Sequence, residues 1–233
     1  MPRLKRSQRN PKDLFVQPKK AKKLTKSFLR KASKIFSAPR QINDAKIVTS
    51  ASQFRRLCSN LLKDGFKEVV NPEAYILNVS EFGGGDFRLF QKNGKMVPVI
   101  SISLKKPTNS QSLSYVDRQK NQILGVMAHE VGHAINSLIK VWRKMPTKFS
   151  RTDEAIAELI SYDILLQIGK LSNFDIQMSK VYFLFRDRQI MDLLDFVVKK
   201  KFDRKRRREI INLLINREFE SPKQALEFIQ SMS

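Results

Sequence analysis

Histidine is almost missing from this chain, and cysteine and tryptophan are scarcer still. The 233 residues hold two histidines, one cysteine and one tryptophan. A single cysteine, Cys58, excludes an intrachain disulfide and points to a reducing compartment. Cys58 lies in an apolar-periodic segment, Gln53–Leu62, and is expected in the core rather than at a ligand position. No apolar run reaches the roughly 18 residues of a membrane span. Behind Met1-Pro2-Arg3-Leu4-Lys5-Arg6 there is no apolar segment of the kind a secretory signal carries. The expected location is therefore intracellular: cytoplasm, nucleus or nucleoid, or a virus particle. Acidic residues are also scarce, 22 against 45 Lys+Arg, for a formal charge of +23. Such an imbalance favours nucleic acid, anionic membrane surfaces or acidic proteins as partners.

The charge is concentrated in two places. Residues 1–46 carry 15 basic and 2 acidic residues, and residues 199–209 carry 8 and 2. Prolines 2, 11, 18 and 39 interrupt the first segment, so 1–46 reads as a flexible basic tail. Within it, Lys22–Phe36 has the pattern of a basic amphipathic helix, with Leu24, Phe28, Leu29, Ile35 and Phe36 as its apolar residues. Both basic segments, 1–46 and 199–208, are candidate contacts for nucleic acid or an acidic protein. Only Phe202 interleaves the second, so phosphate contacts rather than base stacking are expected there.

The chain is 41% hydrophobic and holds 16 phenylalanines, enough for a real core, which is expected in the remainder, 47–233. A helix is expected over Ala51–Leu62, then strands over Tyr75–Val79, Phe87–Gln91 and Met96–Leu104. Asn93-Gly94 joins the last two as a tight hairpin, and Gly83-Gly84-Gly85 marks a turn or open backbone edge. Helices follow: Ser114 to about Lys144, one opened by Ser150 and Asp153 and closed by Gly169, then Phe174–Val198, Arg204–Arg217 and Pro222–Met232. Strands first and helices afterwards predict an α+β domain. Residues 47–145 would hold a small antiparallel sheet and the long helix, and 146–233 a helical subdomain.

The two histidines stand four apart, in His129-Glu130-Val131-Gly132-His133. On a helix this spacing places both imidazoles on one face, about 6 Å apart along the axis, where they can share one zinc ion. Glu130 lies beside that face as the candidate general base. A catalytic zinc needs a third protein ligand, which must here be a carboxylate or Cys58. The next helix offers Glu154 and Glu158, again four apart. One can bind metal, and the other can accept the free N–H of a ligating imidazole. Gly132, costly in a helix interior, predicts close approach by another backbone.

This pair of helical motifs, H-E-x-x-H over Val126–Ile139 and E-A-I-A-E within Asp153–Ser161, resembles the gluzincin, thermolysin-like zinc metallopeptidases. The resemblance implies a zincin-like fold and peptide-bond hydrolysis. It implies His129, His133 and Glu154 as zinc ligands, Glu130 as base, and Glu158 as the acid orienting a ligand histidine. It also implies that the strand before the active helix, Val97–Ser103, is an edge strand that pairs with extended substrate. The family's further oxyanion histidine has no counterpart, since both histidines are committed to metal. Tyr182 is the preferred substitute, with Tyr162, Arg186 and Arg188 as alternatives. The functional expectation is a zinc metalloprotease acting on protein or peptide and localised by its basic segments, as in a virus or phage particle or on a nucleoid. The alternative is a non-catalytic binding protein on the same scaffold.

Overall fold

The computed structural model describes residues 17–70, 84–104, 113–147, 150–170, 188–199 and 202–232, with the backbone alone for 113–122. Within these it is an α+β structure of seven α-helices and one mixed four-stranded sheet. The helices are α1 (Pro18–Ile35), α2 (Ala51–Lys63), α3 (Leu113–Trp142), α4 (Arg151–Gln167), α5 (Arg188–Lys199), α6 (Arg204–Ile215) and α7 (Pro222–Ser231). The strands are β1 (Lys46–Val48), β2 (Lys67–Val70), β3 (Gly85–Lys92) and β4 (Lys95–Ile102), in the order β1-β4-β3-β2. No helix among the described residues is long and apolar enough to cross a membrane. The expected strand Tyr75–Val79 and the first half of the expected helix Phe174–Val198 lie outside the described residues.

The β3–β4 hairpin forms as its turn chemistry dictates. Asn93 and Gly94 both have positive φ, 50° and 75°, the requirement of a type I′ turn. Alternation along the two strands then sorts the faces. Phe87, Leu89, Met96, Ile100 and Ile102 join the main core around α3. Phe90, Val97 and Val99 pack on the other side, with Phe54, Cys58 and Leu61 of α2. Cys58 is thus across the sheet from the histidines. Burial pushes its thiol up to about 11, and the nearby Arg88 only partly offsets this. A pKa of 11 leaves roughly 10⁻³ of the thiol ionised at pH 8, against about a quarter for an ordinary cysteine of pKa about 8.5. Alkylation by iodoacetamide at pH 8 should therefore run at least ~100-fold slower in the folded chain than in urea, measured by mass shift over time.

Three expectations are corrected. The sheet is not purely antiparallel, because β1 pairs with β4 in parallel, with Lys46, Ile47 and Val48 opposite Val99, Ile100 and Ser101. Consequently Val97–Ser103 is not an edge. β4 lies between β1 and β3, and its backbone over 99–101 is already paired. A strand of three residues at the end of a basic segment is too short to announce itself by alternation.

Residues 18–45 are folded into the domain rather than flexible. Helix α1 buries Ala21, Thr25, Phe28, Leu29 and Ala32 against α3, and Phe36 follows them into the same core. The apolar stripe of an amphipathic helix is worth about 25 cal/mol per Å² buried, which outweighs repulsion among solvated lysines on the far face.

The second basic segment also differs from a free charged surface. Arg208 makes a forked contact with the buried Asp163 of α4, at 3.1 and 3.2 Å from Nε and 3.1 Å from Nη2. Arg207 donates to the Phe202 carbonyl at 2.7 Å and stacks over the Tyr162 ring. Arg206 donates to the Met232 carbonyl at 3.0 Å. These three arginines tie α6 to α4 and α7.

Candidate metal centre

Helix α3 is the central element. Every residue from Ile123 to Ile139 except Glu130, Gly125, Gly132 and a few small polar ones is apolar or histidine, and the whole stretch is buried. It is enclosed by the sheet, α1 and α4. An apolar surface all round is what a helix needs to occupy that position. The H-E-x-x-H segment sits in the middle of this run, so its polar groups are buried as well.

Helix α4 starts with the predicted capping box. Ser150 Oγ accepts from the Asp153 N–H at 3.3 Å, and Asp153 Oδ2 accepts from the Ser150 N–H at 2.8 Å. The other oxygen of Asp153 accepts from Asn136 Nδ2 at 2.8 Å and pairs with Lys140 Nζ. One carboxylate therefore caps α4 and fastens its first turn to α3, one turn beyond His133. The helices touch where Gly132 meets Ala157. A Cβ at Gly132 would lie 2.3 Å from the Ala157 carbonyl oxygen.

This close crossing brings the predicted ligands together. His129 Nε2 and His133 Nε2 are 2.9 Å apart, with their rings nearly perpendicular at 84°. Each nitrogen is 3.5 Å from Glu154 Oε2. All three residues are buried. Ligand atoms about 2.1 Å from a tetrahedral ion stand roughly 3.4 Å apart, which the two imidazole–carboxylate distances match. The imidazole pair stands closer. Two imidazole lone pairs aimed at one point need a positive centre there, either a shared proton or a metal ion. Behind the pair, His129 Nδ1 is 3.0 Å from Glu158 Oε1, and Glu158 is fully buried. The His133 ring lies parallel to Phe87 of β3, at 6.4 Å between centroids.

The charge balance favours a cation. Glu130, Glu154 and Glu158 are all buried around two imidazoles. Burial alone would lower the His129 pKa, but the Glu158 carboxylate, aided by Glu154 and Glu130, outweighs it and holds the ring up to about 10. Burial would raise Glu154, but His133 and His129 keep it below its ordinary value. Burial pushes Glu130 up to about 7 against the pull of both histidines, with Asp86 and Glu154 adding to the rise. Buried carboxylates in this excess require positive charge, which a protonated imidazole or a metal ion between the three donors would provide.

Gly85, at the start of β3, abuts the candidate site, where the glycine run signalled only a turn or edge. A Cβ there would lie 2.2 Å from Glu130 Oε1. The backbone of β3 thus closes directly over the carboxylate, and no side chain fits between them. Among the other candidates, Tyr182 and Arg186 lie outside the described residues. Arg188 is exposed at the start of α5, and Tyr162 is covered by Arg207. No protein-family model matches the chain, and neither does any curated protein or solved structure.

Proposed function

We propose that this chain is a zinc-dependent peptidase with a zincin-like fold, using the two-helix site of gluzincin type. The observation that carries the reading is the buried convergence of His129, His133 and Glu154 on one point, with Glu130 on the same helix turn. Two imidazoles and one carboxylate suit zinc better than magnesium or calcium, which take oxygen donors. Three protein donors also leave a position open, the arrangement of catalytic rather than structural zinc sites.

When bound, zinc supplies Lewis acidity, polarising a carbonyl and lowering the pKa of water toward about 7. His129, His133 and Glu154 would hold it. Glu158, 3.0 Å from His129 Nδ1, fixes the tautomer and orientation of that ring. Glu130 takes a proton from the attacking water and returns it to the leaving nitrogen. Gly85 lets the β3 backbone pack against one side of the base, where a side chain would displace it. Tyr182 is assigned the stabilisation of the developing oxyanion.

The experiment is hydrolysis of a quenched fluorescent peptide library by the full chain. Cleavage should fall to background after phenanthroline treatment and return with about one equivalent of Zn²⁺, but not with Mg²⁺. Cleavage that persists without metal, or none from the zinc-loaded chain, would count against the proposal.

A further inference from the structure

We propose that the outer face of α1 docks the phosphate backbone of duplex nucleic acid without reading its sequence. The helix carries eight lysines and arginines and no acidic residue. Lys19, Lys23, Lys26, Arg30 and Lys34 recur at spacings of four, three, four and four. At about 100° per residue they form one straight stripe, roughly 22 Å long, opposite the buried face. All five are exposed, with Lys20 and Lys31 exposed alongside. Among the described residues, none of these side chains takes part in an ion pair, whereas Arg206, Arg208, Lys199 and Lys140 each do. Among the described residues the charge on α1 is thus uncompensated, and that on α6 is largely used internally.

The geometry selects the partner. A basic amphipathic helix binds membranes by inserting its apolar face. Here Phe28, Leu29 and Phe36 are buried in the core, so that face is already committed. Protein interfaces have an apolar centre, and the exposed stripe offers none. Single strands are held by exposed aromatic platforms, and the one aromatic of α1, Phe28, is 2 % exposed. A straight row of cations on a rigid helix fits a linear polyanion, and nucleic-acid interfaces are polar and strongly positive. Lysine meets phosphate as a point charge and gives little base discrimination. The surface is independent of the metal site and of any hydrolysis.

The test measures binding of the full chain to a random-sequence DNA duplex by fluorescence anisotropy across a salt series. The variant K19Q/K23Q/K26Q/R30Q/K34Q is compared with a charge-matched control, R55Q/R56Q/K63Q/K67Q/K95Q, which removes five exposed basic residues of α2, β2 and β4. Circular dichroism verifies that both fold. The α1 variant should bind about 100-fold more weakly at low salt, and its log–log salt slope should flatten by about 4, near 0.9 for each phosphate no longer neutralised. The control should stay within about 5-fold of wild type. Equal losses in both variants would reduce the effect to net charge and overturn the proposal. So would tighter binding to a single strand, to phosphatidylserine vesicles or to polyglutamate than to the duplex.

Discussion

Glu130→Gln should retain its metal and lose peptide hydrolysis by about 10²–10⁴-fold or more. Glutamine keeps the volume and the acceptor oxygen but cannot take a proton at neutral pH. The position leaves little freedom for another group to substitute. Glu130 is 4 % exposed, its carboxylate is capped by Gly85, and Glu154 and Glu158 are engaged with histidines. The loss should fall on kcat, with KM little changed, because the role proposed for the carboxylate is proton transfer rather than holding substrate. Unchanged turnover by a metal-loaded Glu130→Gln chain would remove Glu130 from the mechanism.

Gly132→Ala should destabilise the fold by about 3 kcal/mol or more, although alanine is the better helix former by about 1 kcal/mol. The added methyl would sit 2.3 Å from the Ala157 oxygen and 2.8 Å from its Cα, both backbone atoms that cannot rotate away. The helices must then separate. Gly132 lies between the two histidines on α3, and Ala157 lies between Glu154 and Glu158 on α4. Separation therefore pulls both carboxylates back from the imidazoles, so metal affinity should fall together with the urea midpoint. A variant stabilised by about 1 kcal/mol would mean that helix propensity decides and that the crossing has room.

The parts of this structure that were legible in the sequence rest on local chemistry. Ser150 and Asp153 form the capping box, Asn93-Gly94 turns the hairpin, and the four-residue spacings put His129 with His133 and Glu154 with Glu158 on shared faces. Gly132 announced the close backbone before its partner was known. What escaped depends on partners distant in sequence. Nothing local tells that Phe28 and Leu29 meet α3 rather than solvent, so α1 reads as tail. Arg208 looks like surface charge until Asp163, 45 residues away, is found beneath it. The three residues of β1 acquire meaning only beside Val99–Ser101, and that pairing removes β4 from the sheet edge. Gly85 looks like a turn until Glu130 is placed against it.

On the proposed reading His129, His133 and Glu154 form one metal site. Elemental analysis of the chain purified without added metal tests it most directly, in wild type and Glu154→Ala. Zinc at about one per chain in wild type, and little or none in the variant, is the predicted result. Wild type free of metal after incubation with Zn²⁺, or a Glu154→Ala chain that holds zinc as tightly as wild type, would contradict it.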